Sequence, residues 1–265
     1  MQNSIPLNVI ANADDFGHDK VLTDACLMAF ERGYINSVSI MTNTDYFGEA
    51  IAALKAYPSL RNIGIHVNFT EGRPLTEMDE RFLTFEGKWD HDVINRVYTV
   101  LDKRARASFY KELCCQIEQA LNVDVNVNHL NSHHHVHTLP GFIGMFIKAA
   151  QRYGLKLRLA QANPSGNFFK NFYRRKVNEL ITGKQLHYAD YFEYPYSSHR
   201  NEQNNPIQTI EFMFHPTLNE FGELTDHHDP GSFNKWVQCF TEPVCKDKIS
   251  IIREGALCHY SLAGF

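Results

Sequence analysis

Short apolar runs, rich in β-branched residues, recur along this chain with helix-like stretches between several of them. The runs fall at 7–13, 37–42, 62–69, 127–133, 155–160, 188–192, 209–215 and 256–262. Between the first two, Leu22, Ala25, Cys26, Ala29 and Phe30 fall on one helical face, and Gly33 follows as a stop. Segments 108–122 and 141–154 show the same spacing, the second ending at Gly154. Parallel neighbours need crossover connections, so strand alternating with helix predicts a parallel α/β sheet. Seven or eight such strands in 265 residues point to a closed or nearly closed (β/α) barrel. An open, doubly wound sheet is the alternative. No internal repeat or low-complexity linker interrupts the pattern, so one domain over residues 1–265 is expected; barrels reach this size as single units. The polar segment 197–206 reads as an exposed loop. The weakly patterned stretch 72–106 reads as an insertion on the side of a barrel where loops cover substrate.

Several function classes lose support at once. A formal net charge of −4 offers no basic face to nucleic acid. No apolar run of ~18 residues occurs, so no membrane span is expected. The start of the chain lacks a basic stretch and meets Asp14 and Asp15 early, which argues against a secretory leader. The six cysteines, at 26, 114, 115, 239, 245 and 258, form no C-x-x-C pair and read as free thiols of a reducing compartment. A cytoplasmic location is expected. Nucleophile-elbow, phosphate-loop and dinucleotide glycine motifs are all missing.

The polar residues that interrupt the apolar runs carry the chemistry. In "NADDFG" the first strand runs directly into Asp14 and Asp15. The C-terminal edge of the strands is the active edge of parallel α/β folds, and two adjacent carboxylates there call for a nearby cation. In "GIHVNF", Gly64, His66 and Asn68 share one strand face and Ile63, Ile65 and Val67 the other. His66 is then either a hydrogen-bonded core residue or a ligand. The run "HLNSHHHVH" places His129, Asn131 and His133 on one face, with the chain turning off between 133 and 137. It is either a structured metal site or a loose surface tract; its position at a strand end favours the former. Two neutral imidazoles and one carboxylate, with positions left open for water, form a catalytic rather than a structural metal arrangement. The other aspartate is then free to act as a base. His215, in "FMFHP", is a candidate general acid or substrate contact. Arg158 is a charge inside an apolar strand and needs an anionic partner, either an aspartate or a developing oxyanion.

The motifs "NADDFG", "GIHVNFTEGRPL", "HLNSHHHVHTLP", "LRLA" and "FMFHP", in this order and spacing, resemble the YdjC-like carbohydrate deacetylases of the chitooligosaccharide deacetylase type. The resemblance runs from about residue 7 to at least 216. It implies a distorted, TIM-like (β/α) barrel that removes N-acetyl groups from amino sugars with one divalent metal ion, magnesium or zinc. Position by position, it implies Asp15, His66 and His133 as metal ligands and Asp14 as general base, with Arg158 and His215 near the substrate; His215, or in its place His135, is then the candidate to protonate the leaving amine. Arg158 and His135 are the expected substrate-binding residues. His135 and His137 would line the mouth of the site, and His134 would face away. A homodimer is the assembly the family suggests. One departure stands out: where the family has His-x-Asp-Ser-His, this chain has His129-Leu-Asn131-Ser-His133. Asn131 keeps the shape and drops a charge, which bears on metal affinity if the residue orients a ligand. Two other functions fit the same residues: a non-catalytic metal- or sugar-binding homologue, and a metal-dependent hydrolase of another bond. Loops 72–106 and 161–206 would set the choice of sugar.

Overall fold

The central strand, β1, is Leu7–Phe16, and alternate residues along it, Val9, Ala11 and Ala13, are buried in the core. The computed structural model describes residues 7–96, 101–161, 167–194, 209–241, 249–250 and 258–260. Six further strands run parallel to β1: β2 (Ser37–Ile40), β3 (Asn62–Val67), β4 (Val127–Ser132), β5 (Lys156–Leu157), β6 (Tyr191–Glu193) and β7 (Thr209–Phe214). Their order is β6-β7-β1-β2-β3-β4-β5, every neighbouring pair parallel. A hairpin, β8 (Pro216–Leu218) and β9 (Leu224–Asp226), follows β7. Two short antiparallel strands, β10 (Ile249–Ser250) and β11 (Cys258–Tyr260), extend the sheet beside the start of β1. Among the described residues β5 and β6 do not pair. The protein therefore has an α/β fold of the TIM-like kind: a seven-stranded parallel arc with one open seam.

Helices supply the crossovers that parallel pairing requires. They are α1 (Lys20–Glu31), α2 (Phe47–Lys55), α3 (His91–Arg96), α4 (Lys103–Leu121), α5 (Ile143–Tyr153), α6 (Phe168–Thr182) and α7 (Pro230–Thr241). Asp19 caps α1 by accepting from the Leu22 amide, and Asp102 caps α4 by accepting from Ala105. Gly154 ends α5 in the left-handed conformation at φ 68°. None of the described helices is long and apolar enough to cross a membrane. Cys26, Cys114 and Cys115 carry free thiols.

The expected strands are present but several are shorter. The run 155–160 is hydrogen-bonded as a strand only at Lys156–Leu157, although the Arg158 amide still donates to the Leu130 carbonyl at 3.1 Å. The run 188–192 forms a strand only at its end, in β6, and 256–262 is described only at β11, which is antiparallel. The segments 197–206 and 162–166 lie outside the described residues.

The insertion 72–106 is anchored rather than loose. Phe82 and Trp89 are buried against Phe109 of α4, with ring centroids 4.9 and 5.7 Å away. Phe109 also meets Phe69 at 5.2 Å and Phe142 at 5.0 Å, so one ring ties the insertion to the sheet and to the approach of α5. Replacing Phe109 with alanine is expected to destabilise the fold by about 3–5 kcal/mol through the cavity it leaves. Urea denaturation followed by tryptophan fluorescence, with Trp89 as reporter, checks this. A loss below about 1 kcal/mol would mean that the insertion is held elsewhere.

Polar groups inside α4 hold the segment that follows β3. Buried Glu112 accepts from the amides of Leu75 and Thr76 at 3.0 and 2.8 Å, and from the Thr76 hydroxyl. Gln116 bonds both the amide and the carbonyl of Asn68. Asn68 in turn accepts from the amides of Thr70 and Glu71, a local turn that fixes Glu71 at the strand's end. All but the Thr76 hydroxyl bond pair a backbone amide or carbonyl of this irregular segment.

Candidate active site

Two adjacent residues of a regular strand point to opposite faces, yet Asp14 and Asp15 reach the same place. Ala13 pairs with Val38 and Phe16 with Ile40, so three steps on β1 oppose two on β2. That extra residue is a β-bulge, which re-aims a side chain. At the bulge Asp15 takes a left-handed φ of 62°, a conformation aspartate tolerates better than most residues. The two carboxylates then flank one imidazole: Asp14 Oδ1 lies 3.7 Å from His66 Nδ1, and Asp15 Oδ1 lies 3.1 Å from His66 Nε2.

His133 approaches from β4. The strand ends at Ser132, and residues 133–138 form a tight helical turn in which His134 and His135 have φ of 51° and 55°. His133 Nδ1 lies 2.9 Å from Asp15 Oδ1. Ligand atoms of Asp15, His66 and His133 all fall within 4.8 Å of one another, and all three residues are buried. Despite these distances, no contact of Asp15 Oδ1 or His133 Nε2 has the direction of a good hydrogen bond. Buried polar atoms normally find one. Two imidazoles and a carboxylate oxygen converging without bonding one another fit a shared cation, and the donor set suits zinc or a similar divalent ion.

Surrounding groups orient this triad. His66 Nδ1 lies 2.7 Å from the Asn131 side chain, which is wholly buried between β3 and Ser39. His133 Nε2 lies 3.3 Å from Glu71, whose other oxygen meets His18 Nε2 at 3.1 Å. His18 also reaches Asp19, the cap of α1. The His18 pKa is raised to about 9 by Glu71, against burial and with help from Asp19. Burial would lower the His133 pKa, but Asp15 and Glu71 raise it to about 10.

Beneath the triad lies an ion network. The Arg158 guanidinium grips Asp14 with two bonds of 2.6 and 2.8 Å, and its Nε donates to Glu211 at 2.8 Å. Its Cζ also lies 4.8 Å from the centre of the Phe192 ring. Arg158 follows β5, one end of the arc, while Glu211 sits on β7, the strand next to the other end, so the pair reaches across the arc. Burial would raise the Asp14 carboxyl, but Arg158 and His66 hold it well below the ordinary carboxylate range. Glu211 is pushed up by burial, with Arg158 opposing.

His215 follows β7, its amide bound to Asp226 at 2.6 Å and its ring 4.3 Å from that of His228. Burial lowers its pKa while Asp15 and Asp14 act in the opposite direction. His135 is half-buried, its ring 5.9 Å from Phe192, and burial with nearby Arg158 lowers it to about 3. Arg158, expected near the substrate, has no exposed surface and spends its donors on Asp14 and Glu211. His137 does not line the mouth. It is wholly buried against Phe146, bonded to Ser132, because the chain turns inward after β4 instead of continuing as a strand. His134 is exposed, bonded to Thr70 and stacked on His91 and His133. His129 packs over Gly64, where a Cβ would come within 2.2 Å of its ring. Burial and Arg158 bring it to about 3, and it is a neutral core residue.

Glu71, His18 and Glu211 are the neighbours that the motif reading passed over. Glu211 had a signal, since in "TIEFMFH" it shares the inward face with Met213 and His215. Glu71 had a weaker one, standing three residues after an asparagine at a strand end. A cleft of about 420 Å³ is lined by His18, Asn43, Tyr46, Asn68, Glu71 and Arg73 among others, and it meets the triad's surroundings at Glu71 and His18.

Known proteins resemble this chain over most of its length. The family described as YdjC-like protein matches residues 8–243. A protein of Vibrio parahaemolyticus serotype O3:K6, named carbohydrate deacetylase, is 32% identical over 249 residues, covering 92% of each chain. One of Geobacillus stearothermophilus, with the same name, is 27% identical over 232 residues, covering 81% of this chain and 92% of its own. In fold, the chain is similar to a crystal structure from Enterococcus faecalis V583, described as a candidate cellobiose-phosphate cleavage protein. The TM-score is 0.68 at 21% identity, covering 91% of this chain and 93% of the other.

Proposed function

The chain belongs to the YdjC-like protein family, and from that premise we propose that it is a carbohydrate deacetylase, a hydrolase that cleaves the amide of an N-acetylated amino sugar with one divalent ion. The observation that carries this reading is the convergence of Asp15, His66 and His133 within 4.8 Å at the strand ends, with no well-directed hydrogen bond at the shared carboxylate oxygen. The names of the relatives from Vibrio and Geobacillus support the substrate class. Asp15, His66 and His133 would hold the ion, zinc by donor chemistry or magnesium by family habit. When bound, such an ion supplies Lewis acidity, polarising an amide carbonyl and acidifying water.

The remaining work falls to the chain's own groups. Asp14 accepts a proton from the attacking water, its carboxylate kept ionised and aimed by Arg158. The same guanidinium makes Asp14 a weak base, so it can act only on water that has already been acidified. Arg158 thus reaches the reaction through Asp14. His215, anchored by Asp226, gives a proton to the departing amine, and the half-buried ring of His135 borders the sugar. The cleft at Asn43, Tyr46 and Arg73 offers room for further sugar units.

Acetate release from N-acetylglucosamine oligomers, measured with and without a chelator, tests the proposal. Release that stops with chelator and returns with zinc or magnesium is the expected result. Release indifferent to chelator would overturn the metal, and no release from any acetylated sugar would overturn the function.

A further inference from the structure

Asn131 sits in a cage that asks more of one carbonyl oxygen than it can give. The two ends of a carboxamide have the same shape, so the side chain fits either way round. With the carbonyl toward β3, Oδ1 lies 2.7 Å from His66 Nδ1, and Nδ2 faces Ser39 Oγ at 2.8 Å and Asp14 Oδ1 at 3.3 Å. Nδ2 then also stands 2.8 Å from an Arg158 nitrogen, donor against donor. With the carbonyl turned the other way, Oδ1 accepts from Ser39 Oγ at 2.8 Å and from two Arg158 nitrogens at 2.8 and 3.2 Å. Nδ2 then donates to the Ile65 carbonyl at 3.2 Å and to His66 Nδ1 at 2.7 Å. Five contacts are satisfied in this orientation against three in the other, and two of the five are to a charged, wholly buried guanidinium, which outweighs the one oxygen–oxygen approach it creates, to Asp14 Oδ1 at 3.3 Å.

The choice is transmitted to His66. When the amide NH₂ faces Nδ1, that nitrogen must be the acceptor, and a neutral ring carries its proton on Nε2. His66 Nε2 is the atom that faces Asp15 Oδ1 at 3.1 Å, and a protonated nitrogen cannot ligate a cation. When the carbonyl faces Nδ1, the ring carries its proton there and Nε2 is free.

We infer that Asn131 is a positioning residue that selects the tautomer of His66, so that cation binding requires the amide to turn over and give up its bonds to Arg158. The inference rests on the reading of Asp15, His66 and His133 as a cation site. An aspartate at 131 would present an acceptor at both ends, serving His66 Nδ1–H and Arg158 together with no rotation. The outer-shell partner of a ligating histidine commonly changes metal affinity by about 10- to 100-fold. The native asparagine therefore holds the site in a weaker-binding state than the cage allows.

The test uses the full chain, Zn²⁺ alone as probe, and about pH 8, where an ordinary imidazole is neutral. Long-range ¹H–¹⁵N spectra of the imidazole nitrogens, assigned with His66→Gln, report the tautomer. Metal-free wild type is expected to show His66 as Nε2–H and to change to Nδ1–H on adding Zn²⁺. Asn131→Asp is expected to show Nδ1–H before and after, and to bind Zn²⁺ about 10- to 100-fold more tightly in competition with a chromophoric chelator. The added negative charge alone would tighten binding without moving a proton in the wild type, so the spectra separate the two causes. Nδ1–H in metal-free wild type overturns the inference, as does an unchanged affinity in Asn131→Asp. If His66→Ala binds Zn²⁺ as wild type does, the cation site itself is misplaced and both readings fall. If His66→Ala loses binding while the wild-type tautomer never changes, only the role of Asn131 falls.

Discussion

His133→Ala is expected to lower acetate release on the order of 10³-fold and to leave purified protein with no stoichiometric divalent ion. Losing a ligand removes the ion's share of transition-state stabilisation, several kcal/mol, and each ~1.4 kcal/mol is a factor of ten. The substitution also strips Glu71 and Asp15 of the imidazole between them, so folding must be measured beside activity. Circular dichroism and metal analysis by mass spectrometry separate the effects. A folded, metal-free, inactive variant is the expected outcome. Acetate release within tenfold of wild type would remove His133 from the reaction.

Arg158→Met is expected to be at least as damaging, through both stability and rate. The guanidinium is wholly enclosed and bonded to two carboxylates, on β1 and β7. Removing one partner of a buried pair typically costs about 3–5 kcal/mol, because the other charge is stranded; here two are stranded. Lysine should rescue little, since one ammonium cannot reproduce three directed bonds. The pH dependence gives the sharper check. In wild type the Asp14 pKa lies below its ordinary value of 3.8. Its pairing therefore adds stability above about pH 4, and that stability fades as the pH falls through and below that value. In Arg158→Met, burial without a cation raises Asp14 and Glu211, so stability grows as the pH drops from about 8 toward 5 and both become neutral. Across that range the Asp14 contribution in wild type stays level, so the urea midpoint should rise toward pH 5 in Arg158→Met without a matching rise in wild type. Parallel profiles would show that Arg158 does not set the ionisation of Asp14.

The order of the parallel strands and their helices was legible because each of those strands lies within or beside an apolar run, and so was the edge on which chemistry collects. His66 faces Asp15 as strand parity predicted. His133 reaches it by a different route, since β4 ends one residue earlier and the chain turns. Beyond that point parity lost its meaning, which is why His137 is buried instead of lining the mouth. Strand ends such as β5 were overcalled, because an apolar run continues past the residues that pair. The bulge at Asp14 and Asp15 left no pattern in the residue types, since it is a matter of register with β2. Glu71 escaped notice because its position depends on Glu112 and Gln116, more than forty residues away on another helix. The partner of Arg158 was foreseeable in kind, an anion, but which carboxylates it would meet depends on how the arc curls.

The bulge in β1 also bears on how this site can be inherited. Two neighbouring codons encode carboxylates that touch the same imidazole only because one extra residue is spliced into the strand. An in-frame loss of a single codon there would restore a regular ladder and delete a carboxylate in one event. Substitutions, by contrast, change one function at a time and leave the register intact. Lineages of this fold can therefore lose the paired carboxylates abruptly, through a three-base deletion rather than by stepwise substitution.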